Sequence, residues 1–228
     1  MYQLPLNIKL DSNATFENFV VGKNQQLFHR LQNLINGQDE FIYIWGSEGT
    51  GKTHLAQALC HLFDQNSKTL IYLPLNQAEI TTDALEGLQF ADCVCLDDVN
   101  SIEGNEQWEV ALFNLYNNMK AEGRSLIVIS SHSLTDSQFS LADLKSRLTA
   151  MEVYKLESLT DDDKLQLLIK RADSLGIELT NDVAKFVLLR QNRNINSLID
   201  FIDEIDHLSM VNKRKVTIPF LKEHFDSL

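Results

Sequence analysis

Cysteine is scarce in this chain: 228 residues hold only Cys60, Cys93 and Cys95. Three thiols build no disulfide framework. Cys93 and Cys95 alternate inside an apolar run and read as strand core, because a metal site needs more ligands at suitable spacing. A reducing cytoplasm fits this usage. No apolar run is long enough to cross a bilayer. The start, Met1-Tyr2-Gln3-Leu4-Pro5-Leu6, lacks the basic and apolar regions of a signal peptide. The six histidines are scattered without H-E-x-x-H spacing, which argues against a zinc site. Basic charge is also short. Twenty Lys and Arg face thirty-two Asp and Glu, a net charge of −12. The longest basic block is Lys213-Arg214-Lys215, which reads as a solvated turn. A protein that grips DNA over a broad face needs clustered cations to neutralise phosphates, so autonomous DNA binding is not expected. There is no internal repeat and no low-complexity segment.

Apolar residues make up 44% of the chain, ample for a core. Residues 1–14 have no helical period and read as an extended tail. Leu27, Leu31, Leu34 and Ile35 recur at helical spacing, and Gly37 stops that helix. Phe41 to Trp45 is β-branched and aromatic and predicts a buried strand. Leu55, Ala56 and Leu59 mark a helix after Thr53. Thr69 to Leu75, Asp92 to Leu96, Ser125 to Ser130 and Glu152 to Leu156 predict further strands. A helix carrying Trp108, Ala111, Leu112, Leu115, Tyr116 and Met119 lies between Asn105 and Gly123. Strands alternating with helices imply an α/β domain with a parallel sheet covered on both faces, spanning 15–156. From 157 to 228 the period is helical alone. Its stripes are Leu165, Leu168, Ile169 and Ala172, then Val183, Phe186 and Val187, then Ile195, Leu198, Ile199 and Ile202, with a short helix from Ile218 to Phe225. Thr160 with Asp163 reads as a capping start. A small all-helical domain is expected there.

The chemistry is carried by Gly46-Ser47-Glu48-Gly49-Thr50-Gly51-Lys52-Thr53, which fits G-x-x-x-x-G-K-[ST]. Glycines let the backbone curl so that successive N–H groups converge on phosphate oxygens. The helix that follows adds its positive end. The pattern arises by chance in about one chain of this length in a hundred. Here a strand precedes it and a helix follows. The candidate nucleotide-binding residues are Gly46, Glu48, Gly49, Thr50, Gly51, Lys52, Thr53 and His54. Lys52 suits the β- and γ-phosphates, and Thr53 suits Mg²⁺. The run Cys93-Val94-Cys95-Leu96-Asp97-Asp98 is an apolar strand ending in acids, as a Walker B element requires. Asp97 is the candidate for the Mg²⁺ shell, and Asp98 for orienting a water. Ser130 and Ser131 close the fourth strand, and Ser130 is the candidate polar group for the γ-phosphate. The expected cofactors are ADP or ATP with Mg²⁺.

A P-loop sheet followed by a small helical domain resembles the AAA+ family. Thr15-Phe16-Glu17-Asn18-Phe19-Val20-Val21-Gly22-Lys23-Asn24 is similar to the opening of the DnaA ATPase domain. That resemblance implies that Val20 and Val21 line the base pocket. Leu144-Lys145-Ser146-Arg147 resembles the DnaA stretch whose last Arg reaches a neighbouring subunit's ATP site. Trp108-Glu109-x-Ala111-x-Phe113-x-Leu115-Tyr116-Asn117, Tyr154-Lys155-Leu156, Asp163-Lys164-Leu165-Gln166 and Thr217-Ile218-Pro219-Phe220-x-Lys222-Glu223 resemble the Hda family of DnaA regulators. The chain shows neither the helicase-binding domain nor the helix-turn-helix domain of DnaA, which favours the regulators. Gln3-Leu4-Pro5-Leu6 resembles the short Hda segment that docks on the DNA polymerase III sliding clamp, without the aromatic that often ends such peptides.

The resemblance implies a negative regulator of replication initiation, acting from the clamp by supplying Arg147 to DnaA. Weak ATP turnover of its own is expected. AAA+ proteins place the nucleotide between subunits, which allows a homo-oligomer. Neither DNA nor membrane is an expected direct partner. Two positions depart from the family. Asn196 stands where an Arg usually senses the γ-phosphate, with Arg193 three residues earlier on the same helical side. His132 stands where Asp is usual. The complete P-loop leaves open a stand-alone ATPase, of DnaA-like or helicase-loader type, and a purely structural nucleotide.

Overall fold

A computed structural model describes residues 10–37, 39–192, 194–212 and 215–225; the side chains of 211 and 212 are outside that description. Gln3 to Leu6, Arg193, Lys213 and Arg214 lie outside it too. The chain forms two compact units. One holds Gln26–Gly46, Gly51–Leu156 and the described residues up to Phe19. The other gathers Val20–Gln25, Ser47–Thr50 and the described residues from Glu157 onward.

The first unit is built on a five-stranded sheet. Its strands are β1 (Phe41–Trp45), β2 (Leu70–Pro74), β3 (Cys93–Asp97), β4 (Ser125–Ser130) and β5 (Glu152–Lys155). All pairings are parallel, in the order β2-β3-β4-β1-β5. Thr69 and Leu75 extend the β2–β3 ladder at its ends, as carbonyl acceptor from Cys93 and as donor to Asp97. Leu156 likewise donates to the Trp45 carbonyl at 2.7 Å just beyond β5. Every residue of β3 and β4 is buried, as a two-sided sheet demands. The faces separate by the two-residue period. Phe41, Tyr43, Val94, Leu96, Leu126 and Val128 share one core cluster. Ile42, Ile44, Cys93, Cys95, Ile127 and Ile129 alternate with them and are also buried. Burial pushes the thiols of Cys93 and Cys95 well up, so both stay neutral core groups. The edge strand β5 is mostly exposed and carries charge, which discourages further pairing.

Helices α1 (Gln25–Gln32) and α2 (Lys52–Gln65) flank β1 in the chain, and α2 packs on β2 and β3. Spacing predicts one helix through Ile35. The chain instead tightens into a 3₁₀ turn at Asn33–Asn36 before Gly37, a common way for a helix to end. On the opposite side, α3 (Glu106–Ala121) packs on β4 and on α4 (Ala142–Thr149). Asn105 caps α3 by accepting from the Trp108 N–H. Neither α4 nor the 3₁₀ turns at Thr82–Leu85 and Leu88–Phe90 follow from apolar spacing. They are short, and α4 buries only Leu144 and Leu148.

In the second unit the regular secondary structure among the described residues is helical. It contains α5 (Asp161–Ser174), α6 (Asn181–Arg190), α7 (Ile195–Asn212) and α8 (Ile218–His224). Leu168, Ala172, Val187, Leu198, Ile202, Ile205 and Phe220 form its core. Each large apolar side chain so buried contributes roughly 1.5–3 kcal/mol. Thr160 and Asp163 form the reciprocal capping box of α5. Arg171 and Asp203 pair through two hydrogen bonds of 2.8 Å. The buried Asn24 amide joins Val20–Gln25 to the start of this unit. It donates to the Glu157 carbonyl at 3.1 Å and accepts from the Glu157 N–H at 2.7 Å. Lys215, the described member of the basic block, pairs with Glu178 at the surface. No helix among the described residues is long and apolar enough to cross a membrane.

Candidate nucleotide-binding site

The loop from Gly46 to Thr53 joins β1 to α2 at the carboxyl ends of the strands, where ligands of open α/β sheets bind. Its entry is fixed by the Gly46 N–H, which donates to the Ser130 carbonyl. Gly49 and Gly51 take left-handed angles, φ +73° and +96°. A side chain at either would be strained, and one at Gly51 would also meet the Phe19 ring at 3.0 Å. Alternating left-handed residues turn N–H groups toward one side, forming an anion nest. Thr50 Oγ1 tightens the loop by donating to the Ser47 carbonyl at 2.9 Å. Helix α2 starts with no side-chain cap. Its first intrahelical bond comes from the Leu55 N–H, so the N–H groups of Lys52, Thr53 and His54 project from the positive end. This chemistry suits a phosphate chain.

Lys52 is buried, and its Nζ donates to the Gly46 carbonyl at 2.7 Å. The ammonium is therefore held against the loop it would serve. Thr53 Oγ1 donates to Asp97 Oδ2 at 2.8 Å. Asp97 is buried at the end of β3, and it also accepts from Tyr72 Oη at 3.0 Å and from the Asp98 N–H at 2.9 Å. Burial, and then the neighbouring carboxylate, push the Tyr72 phenol well up, so it stays a donor. A hydroxyl and a carboxylate side by side are hard oxygen ligands of the kind Mg²⁺ takes. Among the described residues no group of three or more His, Cys, Asp or Glu forms a metal site.

The remaining candidates of this unit fall into three groups. Asp98, at φ +54°, accepts from Asn76 Nδ2 at 2.7 Å. Asn76 was not singled out by the sequence; its only signal is its place just beyond β2. Ser130 is fully buried on β4, the strand between β1 and β3. Next to it, His132 lies in a network: Nδ1 meets Ser131 Oγ at 3.1 Å and Nε2 meets Glu103 Oε1 at 3.0 Å. Tyr43, its phenol pushed up to about 12 mainly by burial, donates to the His132 carbonyl. His54 Nε2 donates to the Thr15 carbonyl at 2.9 Å and the ring packs on Phe19, while its backbone N–H belongs to the open first turn of α2. Arg147 stands apart from these groups. It is exposed on the last turn of α4, with its guanidinium 5.8 Å from the Tyr116 ring centre.

In the second unit, Val20 is buried and Val21 half-buried. Gly22, at φ +51°, lies where a methyl group would press on Asp163 and Leu159. Glu48 is exposed. A methyl group at Gly49 would come to 3.7 Å from the Asn194 amide. Asn194 caps α7, accepting from the Asn196 N–H at 2.9 Å. The side chain that reaches the loop tip is thus that of Asn194, which periodicity does not reveal. Asn196 is exposed on the first turn of α7.

Residues 10–153 match the family of the bacterial DnaA ATPase domain, and residues 161–225 match the lid domain of Hda. An uncharacterized protein of Haemophilus influenzae is 40% identical over 224 residues, covering 97% of each chain. Domain III of the Thermotoga maritima replication initiation protein DnaA superposes with a TM-score of 0.79 at 23% identity, over 92% of this chain and 95% of that one. AMPPCP-bound DnaA from Aquifex aeolicus superposes at 0.74 and 23% identity, over 86% of this chain and 65% of that one. The parallel order of the sheet, the loop before α2 and the helical second unit agree with these matches, and the chain belongs to the DnaA-like AAA+ family, with a lid of the Hda type.

Proposed function

We propose that this chain is a nucleotide-bound negative regulator of replication initiation that stimulates ATP hydrolysis by DnaA. The Mg²⁺–nucleotide, ADP or ATP, supplies the bound charge around which the site is organised. Lys52 and the N–H groups at the start of α2 hold its phosphates, Thr53 and Asp97 its cation, and Val20 and Val21 its base. Gln3 to Leu6 hold the chain on the DNA polymerase sliding clamp, which raises its local concentration near DNA without basic surface. Arg147 then enters the ATP site of DnaA and stabilises the negative charge that develops on the transferred phosphoryl group.

The observation that carries this reading is the placement of Arg147. It is exposed on a helix whose inner face, Leu144 and Leu148, is fully buried, and it forms no ion pair among the described residues. A cation offered in this way can act on another molecule. Replacing Arg147 with Ala is expected to lower the stimulated DnaA ATP hydrolysis on clamp-loaded DNA by about a thousandfold or more. Equal stimulation by the variant and the parent rejects the assignment. Removing Tyr2 to Leu6 is expected to weaken clamp binding, and undiminished binding discards the tether.

A second reading, a stand-alone ATPase, is favoured by the completeness of the Lys52, Thr53 and Asp97 arrangement. Steady-state ATP turnover by the purified chain without DnaA separates the two.

A further inference from the structure

Glu109 lies one turn into α3 and is fully buried, at 0% exposure. A carboxylate taken from water needs donors around it. Glu109 has three, all backbone. The Gly104 N–H donates at 2.7 Å, the Ser140 N–H at 2.9 and 3.1 Å to the two oxygens, and the Leu141 N–H at 2.6 Å. Two of these belong to the segment that enters α4. Leu141 is the residue at the N-cap of α4 and supplies no side-chain cap of its own. Glu109 thus does from a neighbouring helix what the acid of a capping box does from within its own, accepting from the N-cap N–H, and its charge meets the positive end of α4.

A second carboxylate holds the same segment earlier. Glu103, with a side chain 8% exposed, accepts from the Gln138 N–H at 2.8 Å and meets His132 Nε2 at 3.0 Å. Asn100 Oδ1 accepts from the Ser131 N–H at 2.9 Å. Residues Ser131 to Leu141 are therefore pinned by side chains that follow Asp97 and Asp98 in the chain. Six residues beyond Leu141 stands Arg147.

We propose that Glu103 and Glu109 are positioning residues for Arg147: by fixing Ser131 to Leu141 they set where α4 presents its guanidinium. This rests on the reading of Arg147 given above. A short helix held at its entry by backbone bonds to buried carboxylates cannot rotate without exposing charge or leaving N–H groups unpaired. The guanidinium, which lies over the Tyr116 ring, is aimed by the fold.

The test uses the full chain on clamp-loaded DNA with DnaA. Glu109→Gln keeps the shape but turns an NH₂ group toward an N–H donor. At saturating chain, the stimulated kcat is expected to fall by about ten- to a hundredfold, as for a misplaced catalytic group. The chain concentration for half-stimulation and the affinity for ADP should stay unchanged. The Ser140 and Leu141 amides should exchange faster with solvent. In the Glu109→Gln background, Arg147→Ala should cost much less than it does alone. Loss in Arg147→Ala with full kcat in folded Glu109→Gln overturns this proposal and leaves the earlier reading standing. So do losses that multiply in full in the double variant. Unchanged stimulation in Arg147→Ala sinks the earlier reading and this one with it. If Glu109→Gln does not fold, Glu103→Gln, which frees only the Gln138 N–H and the His132 ring, takes its place. A smaller loss of kcat at unchanged ADP affinity supports the proposal, and full kcat overturns it.

Discussion

The two units differ in the charge they bury: the buried charged residues described, Lys52, Asp97 and Glu109, lie in the sheet unit, whereas the buried polar residues described in the helical unit, Asn24 and Thr50, are neutral. In the sheet unit Lys52, Asp97, Ser130 and Glu109 are all buried, and Lys52, Asp97 and Glu109 bond to neighbouring carbonyls, hydroxyls and N–H groups. In the helical unit Asn194 and Asn196 are exposed, and Val21 is only half-buried. Burial strengthens each electrostatic contact and makes each unpaired group costly, so the sheet unit has little freedom in its chemistry. The helical unit can vary its exposed residues at small cost. Of the two departures from the family, Asn196 falls there and His132 falls in the sheet unit, while the G-x-x-x-x-G-K-T spacing is complete.

Substitutions in both units test that contrast. The largest effect is expected from Lys52→Ala, which removes a buried charged donor. A hydrogen bond to a charged group is worth about 1.5–3 kcal/mol, so ADP affinity should drop by roughly ten- to a hundredfold by calorimetry. An unchanged affinity would mean that the loop does not hold phosphate. Next comes Gly22→Ala in the helical unit. The left-handed angle and the approach to Asp163 should together destabilise that unit by about 1–2 kcal/mol, read as a lower urea midpoint. If this variant instead abolished ADP binding while the fold stayed intact, the helical unit would be as exacting as the sheet. Thr160→Ala removes one half of a capping box and should cost about 1 kcal/mol. The smallest effect concerns pH. Burial, opposed by the Thr15 carbonyl and Asp11, lowers the pKa of His54 below its ordinary 6.5. The unfolded chain then takes up the proton first. His54 imposes no penalty above about 6.5, and stability falls as pH drops below that value. His54→Gln should flatten this part of the stability–pH curve, measured by denaturant titration at several pH values.

The contrast also explains what could be read in advance. Central strands of a parallel sheet must be apolar on both faces, so Phe41 to Trp45 and Ser125 to Ser130 announce themselves. The same rule assigned Cys93 and Cys95 to the core. Asn105 and Thr160 mark helix starts because capping chemistry is local. Helix α4 gave no such signal. It has two buried leucines, and its N-cap N–H is accepted by Glu109, thirty-two residues from Leu141 in the chain. Adjacency places His54 with the phosphate loop, and its ring contacts Thr15 and Phe19. Asn194 and Asn76 carry no periodic mark, because both are exposed and act through polar contacts rather than on an apolar face.

Composition and spacing by themselves determined an α/β sheet, a phosphate-binding loop at the end of its first strand, and a helical segment after it. Those properties rest on local stereochemistry and on which side chains avoid water. The tertiary structure alone decided the sheet order that sets β4 between β1 and β3, the joining of Val20–Gln25 and Ser47–Thr50 to the helical unit, and the carboxylates that anchor α4. Each of these depends on hydrogen bonds between residues far apart in the chain, and such partners exist only once the chain has folded.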